Sequence, residues 1–203
     1  FFKILITIFL FKSCNKLSLN LKNPKDSNAS KMILFLVGYA GSGKSSLAKR
    51  LAKALGVGYV DTDTLVEQSV GATIADIFHY EGEEYFRRSE REVLERLATE
   101  DYEGIVATGG GLPVWEDNME RLNSIGTTIY LQRSPEQILS RLSDYGRQKR
   151  PMFRGKSDEE LLAFMHEHIA QREPYYTQAH IVIDCNTMSD DAVVNYIIER
   201  IKG

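Results

Sequence analysis

From Met32 onward, short apolar runs alternate with longer stretches in which apolar residues recur every three or four positions. That alternation predicts an α/β fold with a parallel sheet. Residues 33–37 form a continuous apolar run of buried-strand type. After a glycine-rich turn, Leu47, Ala48, Leu51, Ala52 and Leu55 share one face, which predicts a helix over 45–55 ended by Gly56. A short strand is expected over 58–60 and a long charged helix over 83–99, with Phe86, Val93, Leu94 and Leu97 turned inward. Further strands are expected over 105–107, 127–131 and 181–183, and helices over 135–142, 158–171 and 190–201. No repeat or low-complexity linker interrupts 32–203, so one domain is expected there.

Composition changes this picture only at the first segment. The 203 residues carry 25 Lys+Arg against 28 Asp+Glu, a formal charge of -3. Residues 1–31 hold six lysines and one aspartate, which leaves 19 Lys+Arg against 27 Asp+Glu, or -8, for residues 32–203. The apolar run 4–11 falls short of the roughly 20 residues a membrane-spanning helix needs. A secretory signal is the competing reading, since Lys3 precedes that run and Ser13-Cys14 faintly resembles a lipoprotein cleavage site. Met32 directly precedes the first strand, so 1–31 is expected to be upstream, appended or targeting-like sequence, disordered and outside the fold. Asn28-Ala29-Ser30 matches a glycosylation acceptor, which matters only in a secreted protein. The acidic balance argues against nucleic-acid or membrane partners. Cys14 and Cys185 belong to no metal-ligand spacing and suggest a reducing, cytoplasmic setting.

The strongest chemical feature is Gly38-Tyr39-Ala40-Gly41-Ser42-Gly43-Lys44-Ser45, a full G-x-x-x-x-G-K-[ST] match between a predicted strand and a predicted helix. Its glycines let successive N–H groups converge, the helix that follows adds its positive end, and Lys44 places a charge near the β- and γ-phosphates. The Ser45 hydroxyl suits Mg²⁺. A nucleoside triphosphate is the expected ligand. A GTP-dependent switch is excluded by the lack of an Asn-Lys-x-Asp motif after this loop. Strand 105–107 runs into Thr108 and Gly109-Gly110-Gly111, so the expected acidic group must come from elsewhere. Asp61 and Asp63 supply it, at the carboxyl end of a strand where ligands sit in such sheets. The competing reading is helix capping by Asp61, Thr62 or Thr64, with Thr64 and Glu67 as a capping box.

Taken together, these residues resemble the shikimate kinase family across essentially all of 32–203. The matching segments are GYAGSGKSS, Asp61-Thr62-Asp63, ADIF followed by GEEYFRRSE up to Glu90, the three glycines at 109–111, Arg150-Pro151, and REPYY from Arg172 to Tyr176. The resemblance implies a three-layer P-loop kinase fold: a five-stranded parallel sheet, helices on both faces and a mobile lid near 145–156. It implies a cytoplasmic enzyme, expected to be a monomer. The reaction it implies is transfer of the γ-phosphoryl group of ATP to the 3-hydroxyl of shikimate, giving 3-phosphoshikimate and ADP on the route to chorismate and the aromatic amino acids.

By that resemblance, Gly41, Ser42, Gly43, Lys44, Ser45 and Ser46 contact ATP, Arg141 packs against adenine, and Ser45 and Asp61 hold Mg²⁺. Arg87 and Arg172 clamp the acceptor's carboxylate, with Gly109, Gly110 and Gly111 close by, and Asp63 accepts from ring hydroxyls and orients the attacking one. Lys44, Asp63 and Arg150 are the implied catalytic groups, Arg150 reaching the phosphates from the basic lid loop. Met152-Phe153 departs from the family's two leucines after the lid proline. From spacing alone, Arg87 could equally be a salt bridge to Glu83 one turn earlier, and Arg172 a cation at a helix end before Pro174. The other readings are a different small-metabolite or nucleotide kinase of this fold and a non-catalytic ATP-binding module.

Overall fold

The computed structural model describes residues 32–202 except Asp101 and Lys149. The segment 1–31, with Cys14 and the Asn28 acceptor, lies outside the described residues. Five strands form one parallel sheet in the order β2-β3-β1-β4-β5. They are β1 (Ile33–Val37), β2 (Tyr59–Asp61), β3 (Gly104–Ala107), β4 (Thr127–Gln132) and β5 (Ile181–Asp184). Every predicted strand is present with its ends shifted by no more than a residue, but the shift in β2 matters. It makes Asp61 the last strand residue and carries it to the sheet's carboxyl edge.

Both faces of the sheet are covered, which is why β1 reads as unbroken hydrophobic sequence. Leu34 and Leu36 point to one side, where they meet Leu47, Ala48, Leu51 and Ala52 of α1 (Lys44–Leu55) and Val193, Val194 and Ile197 of α9 (Asp190–Lys202). Phe35 and Val37 point to the other, into a core with Val66, Phe86, Leu94, Met119, Ile138, Met165 and Tyr176. The helices contributing those residues are α2 (Thr62–Val70), α4 (Gly82–Thr99), α5 (Asn118–Ile125), α6 (Pro135–Arg141) and α8 (Asp158–Tyr176), with α3 (Ile74–Tyr80) adding Ile77. Among the described residues, no helix is long and apolar enough to cross a membrane.

Several expectations are corrected. Helices α2, α3 and α5 are absent from the periodicity reading because their buried stripes are narrow: α2 buries Thr62 and Val66, and α3 only Ile77. The Thr64–Glu67 capping box does not form, because α2 starts three residues earlier with Asp61 as its N-cap, accepting from the Asp63 N–H at 3.0 Å. Helix α8 continues five residues beyond 171, through Pro174, so Arg172 is an interior helical residue and the helix-end reading of it fails. Its start is secured by a true capping box, in which Ser157 and Glu160 satisfy each other's backbone N–H groups. The lid segment is not the expected irregular loop. It contains α7 (Asp144–Gln148) and a 3-10 turn, Pro151–Phe153, with Phe153 only 1% exposed.

Candidate active site

Strand β1 delivers the loop 38–43 at the centre of the sheet's carboxyl edge, and α1 begins directly after it. Gly43, the residue before α1, has φ of 98°, a conformation that a side chain would strain. No side chain caps α1, so its first N–H groups and the positive end of its dipole face the loop. Lys44 is buried, and its Nζ donates to the carbonyls of Gly38 and Tyr39 at 2.7 and 2.8 Å. Burial lowers its pKa to about 8 against the opposing pull of Asp63. Ser42 is buried and its carbonyl accepts from Arg133; Ser46, beside Ser45 in the first turn of α1, is exposed.

The end of β2 meets this loop from one side. Ser45 Oγ donates to Asp61 Oδ2 at 2.5 Å while Asp61 Oδ1 caps α2, so the capping role is present and the second carboxylate oxygen still faces the phosphate loop's serine. Asp63 follows in the first turn of α2. Burial, then the neighbouring Asp61, raises its pKa to about 6. Strand β3 brings in the glycine turn. A Cβ on Gly109 would lie 2.5 Å from Asp63 Oδ1 and 2.6 Å from Glu90 Oε1, so only glycine admits both carboxylates there. Gly110 abuts Ala40 of the phosphate loop, and its carbonyl accepts from the Tyr176 hydroxyl at 2.6 Å. The Arg87 guanidinium packs directly on Gly111.

Arg87 does pair with Glu83 at 2.9 Å, as its spacing suggests, yet its shorter bond is to Glu90 Oε2 at 2.6 Å. The two carboxylates hold its plane toward the glycine turn. Glu90 is 1% exposed, its Oε1 has no hydrogen-bond partner, and burial raises its pKa to about 7 despite Arg87. Arg172 approaches from α8, where its charge acts on Tyr39, Lys44 and Tyr176. Arg150 enters from the lid segment, with Nη1 bonded to the Gly146 carbonyl at 2.8 Å. Burial lowers its pKa while Asp63 and Asp61 attract its charge. Arg141 reaches toward Gly43, and both Asp190 oxygens accept from its Nη2 at 2.7 and 2.8 Å.

Every residue singled out from the sequence therefore lies on or beside the phosphate loop, β2 end or glycine turn. Sequence reasoning missed Glu90, Arg133, Asp190 and the hydroxyl of Tyr176. Arg133 is 3% exposed and joins the Ser42 carbonyl, the Cys185 carbonyl and Asp190. Glu90 had a visible signal, three residues after Arg87, but helical pairs at that spacing are common on surfaces. Arg133 and Asp190 are 57 residues apart, and nothing local joins them.

A strand, a glycine-bearing loop with a buried lysine and a helix whose N-terminus faces that loop, overlooked by a basic segment, are the working parts of a P-loop phosphotransferase. The comparisons narrow the class: the chain belongs to the shikimate kinase family, whose model matches residues 40–202. A shikimate kinase of Parabacteroides distasonis is 41% identical over 164 residues, 81% of this chain and 94% of that protein. One from Symbiobacterium thermophilum is 41% identical over 172 residues, 84% and 97% of the two chains. Among solved structures, shikimate kinase from Bacteroides thetaiotaomicron superposes with a TM-score of 0.77 at 32% identity, covering 86% of this chain and 100% of that one. The Acinetobacter baumannii enzyme in complex with shikimate gives 0.74 at 32% identity, over 85% and 94%.

Proposed function

We propose that this chain transfers the γ-phosphoryl group of ATP to the 3-hydroxyl of shikimate, releasing ADP and 3-phosphoshikimate. The observation that carries the reading is the convergence of Asp63, Arg87, Arg172 and Gly109–Gly111 within reach of the Lys44 loop. A hydroxylated carboxylate fits that set: guanidinium groups hold its planar carboxylate, and Asp63 accepts from its hydroxyls.

Phosphoryl transfer needs positioning and charge stabilisation more than covalent help. The acceptor oxygen bonds to the γ-phosphorus as the bond to the departing ADP oxygen breaks, and the hydroxyl proton passes to Asp63. With its pKa near 6, Asp63 is ionised at neutral pH yet basic enough to take that proton. Lys44 and Arg150 would offset charge on the transferring group, and residues of the lid segment would exclude water. Ser45 and Asp61 offer a paired set of hard oxygen ligands that suits Mg²⁺. No group of three or more His, Cys, Asp or Glu side chains able to hold a metal occurs among the described residues. The remaining ligands would thus be phosphate and water, and the ion would supply charge neutralisation of the phosphates.

The test is ADP release by the full chain with Mg²⁺ and ATP, with and without shikimate, beside gluconate, adenylate and other hydroxylated acids. Turnover that depends on shikimate is the expected result. ATP binding without acceleration by shikimate would leave the phosphate loop assignment standing and overturn the acceptor.

A further inference from the structure

We propose that the hydrogen bond between Tyr39 and His168 is a strut that sets Arg172 over the phosphate loop, making both side chains positioning residues for the acceptor. The inference deepens the function proposed above and rests on its reading of Arg172 as a carboxylate-binding group.

Tyr39 lies inside the phosphate loop but is only 2% exposed, with its ring against Phe153 and His168. Its hydroxyl stands 2.8 Å from His168 Nδ1, a contact across 129 residues of sequence, and the two rings meet edge to face at 5.5 Å. Phe153 of the lid segment packs on Tyr39 at 6.3 Å, and Phe164 stacks on His168 at 4.9 Å, so aromatic neighbours restrain both rings. Burial, followed by the charge of Arg172, lowers the His168 pKa, which keeps the ring neutral and able to accept the phenolic proton at Nδ1.

The placement along α8 gives the strut its use. His168, Arg172 and Tyr176 follow one another at four-residue spacing and share a helical face. His168 is tied to Tyr39, and Tyr176 to the Gly110 carbonyl at 2.6 Å. Arg172 therefore sits between two anchors, one turn to either side, each fixed to one of two loops that touch each other at Gly110 and Ala40. The Tyr39 end is stiff, because its carbonyl receives both Lys44 Nζ and the Ser42 N–H. Loss of the strut would leave the phosphate loop held by those bonds and free the turn carrying Arg172. A guanidinium binds a planar carboxylate only in a matched orientation, so the loss should fall on the acceptor.

The experiment is steady-state kinetics of the full chain with MgATP and shikimate for wild type, Tyr39→Phe, His168→Leu, the double variant, and His168→Asn, whose carboxamide can reach the position of Nδ1. Each single loss should raise KM for shikimate about fivefold, the scale of one net hydrogen bond, with kcat and KM for ATP within about twofold. The double variant should be no worse than the poorer single one, and His168→Asn should recover most of the loss. Unchanged KM for shikimate, an equal rise in both KM values, or additive losses in the double variant would each overturn the strut. Should Tyr39→Phe fail to fold, His168→Leu against His168→Asn decides the matter. A wild-type chain without shikimate-dependent turnover would instead overturn the acceptor assignment and the strut with it, whereas an active wild type with indifferent variants overturns the strut alone.

Discussion

Asp63 is held where its charge is least comfortable, beside Asp61 and largely out of water, and that discomfort is the source of its basicity. Asp63→Asn should lower kcat by at least about a hundredfold while leaving ATP affinity intact, measured by single-turnover and equilibrium binding. The same substitution should stabilise the fold at alkaline pH. The folded-state pKa of about 6 lies above the ordinary 3.8, so the fold favours the protonated form. That preference stabilises fully below 3.8 and is lost as pH rises through 6, leaving an unfavourable buried charge above it. Asp63→Asn should therefore melt higher than wild type at pH 8, with the gap narrowing below about pH 6 and closing near pH 4. In the rate profile, kcat/KM for shikimate should fall below pH 6 as Asp63 gains its proton, and kcat/KM for ATP should fall above pH 8 as Lys44 loses its own. At this scale the sequence was readable where chemistry is local. Lys44 and Ser45 follow from their spacing to the glycines, whereas the burial of Glu90 and Arg133 depends on neighbours far along the chain.

Helix α8 carries Arg172 and is the element whose ends decide the acceptor side of the site. Its N-terminus depends on the Ser157 box, and Ser157→Ala should reduce stability by about 1 kcal/mol in urea unfolding. Its C-terminus escapes a sequence reading because Pro174 ordinarily signals an end, yet the helix runs on to bury Tyr176 against Tyr130, with ring centroids 5.2 Å apart. The lid segment is similarly half-legible. Its glycines and cations mark it, but its local structure is built on Phe153, a residue whose burial the departure from two leucines did not announce. Arg150→Ala, in the same segment, should lower kcat by at least about a hundredfold with little change in melting temperature, as stopped-flow measurement and thermal unfolding would show.

At the scale of the molecule, the central strands β1 and β3 were legible because a parallel sheet covered on both faces needs uninterrupted apolar runs, and the edge strands β2 and β5 were marked by shorter ones. The short helices α2, α3 and α5 were not, because each buries only one or two apolar side chains. The family model begins at residue 40 and the sheet at Ile33. A chain starting at Met32 should thus unfold in one cooperative transition and keep its kcat and both KM values within about twofold of the full chain. The strand order has a further consequence, for the order of manufacture. Because β3 lies between β1 and β2, neither of the first two strands has its β3 partner until residues 104–107 are synthesised, and β1's other neighbour, β4, comes later still. A nascent chain emerging from the ribosome therefore carries the complete phosphate loop sequence for more than sixty residues of synthesis with no sheet to hold it. Nucleotide could protect such a chain from proteolysis only after β3 has emerged.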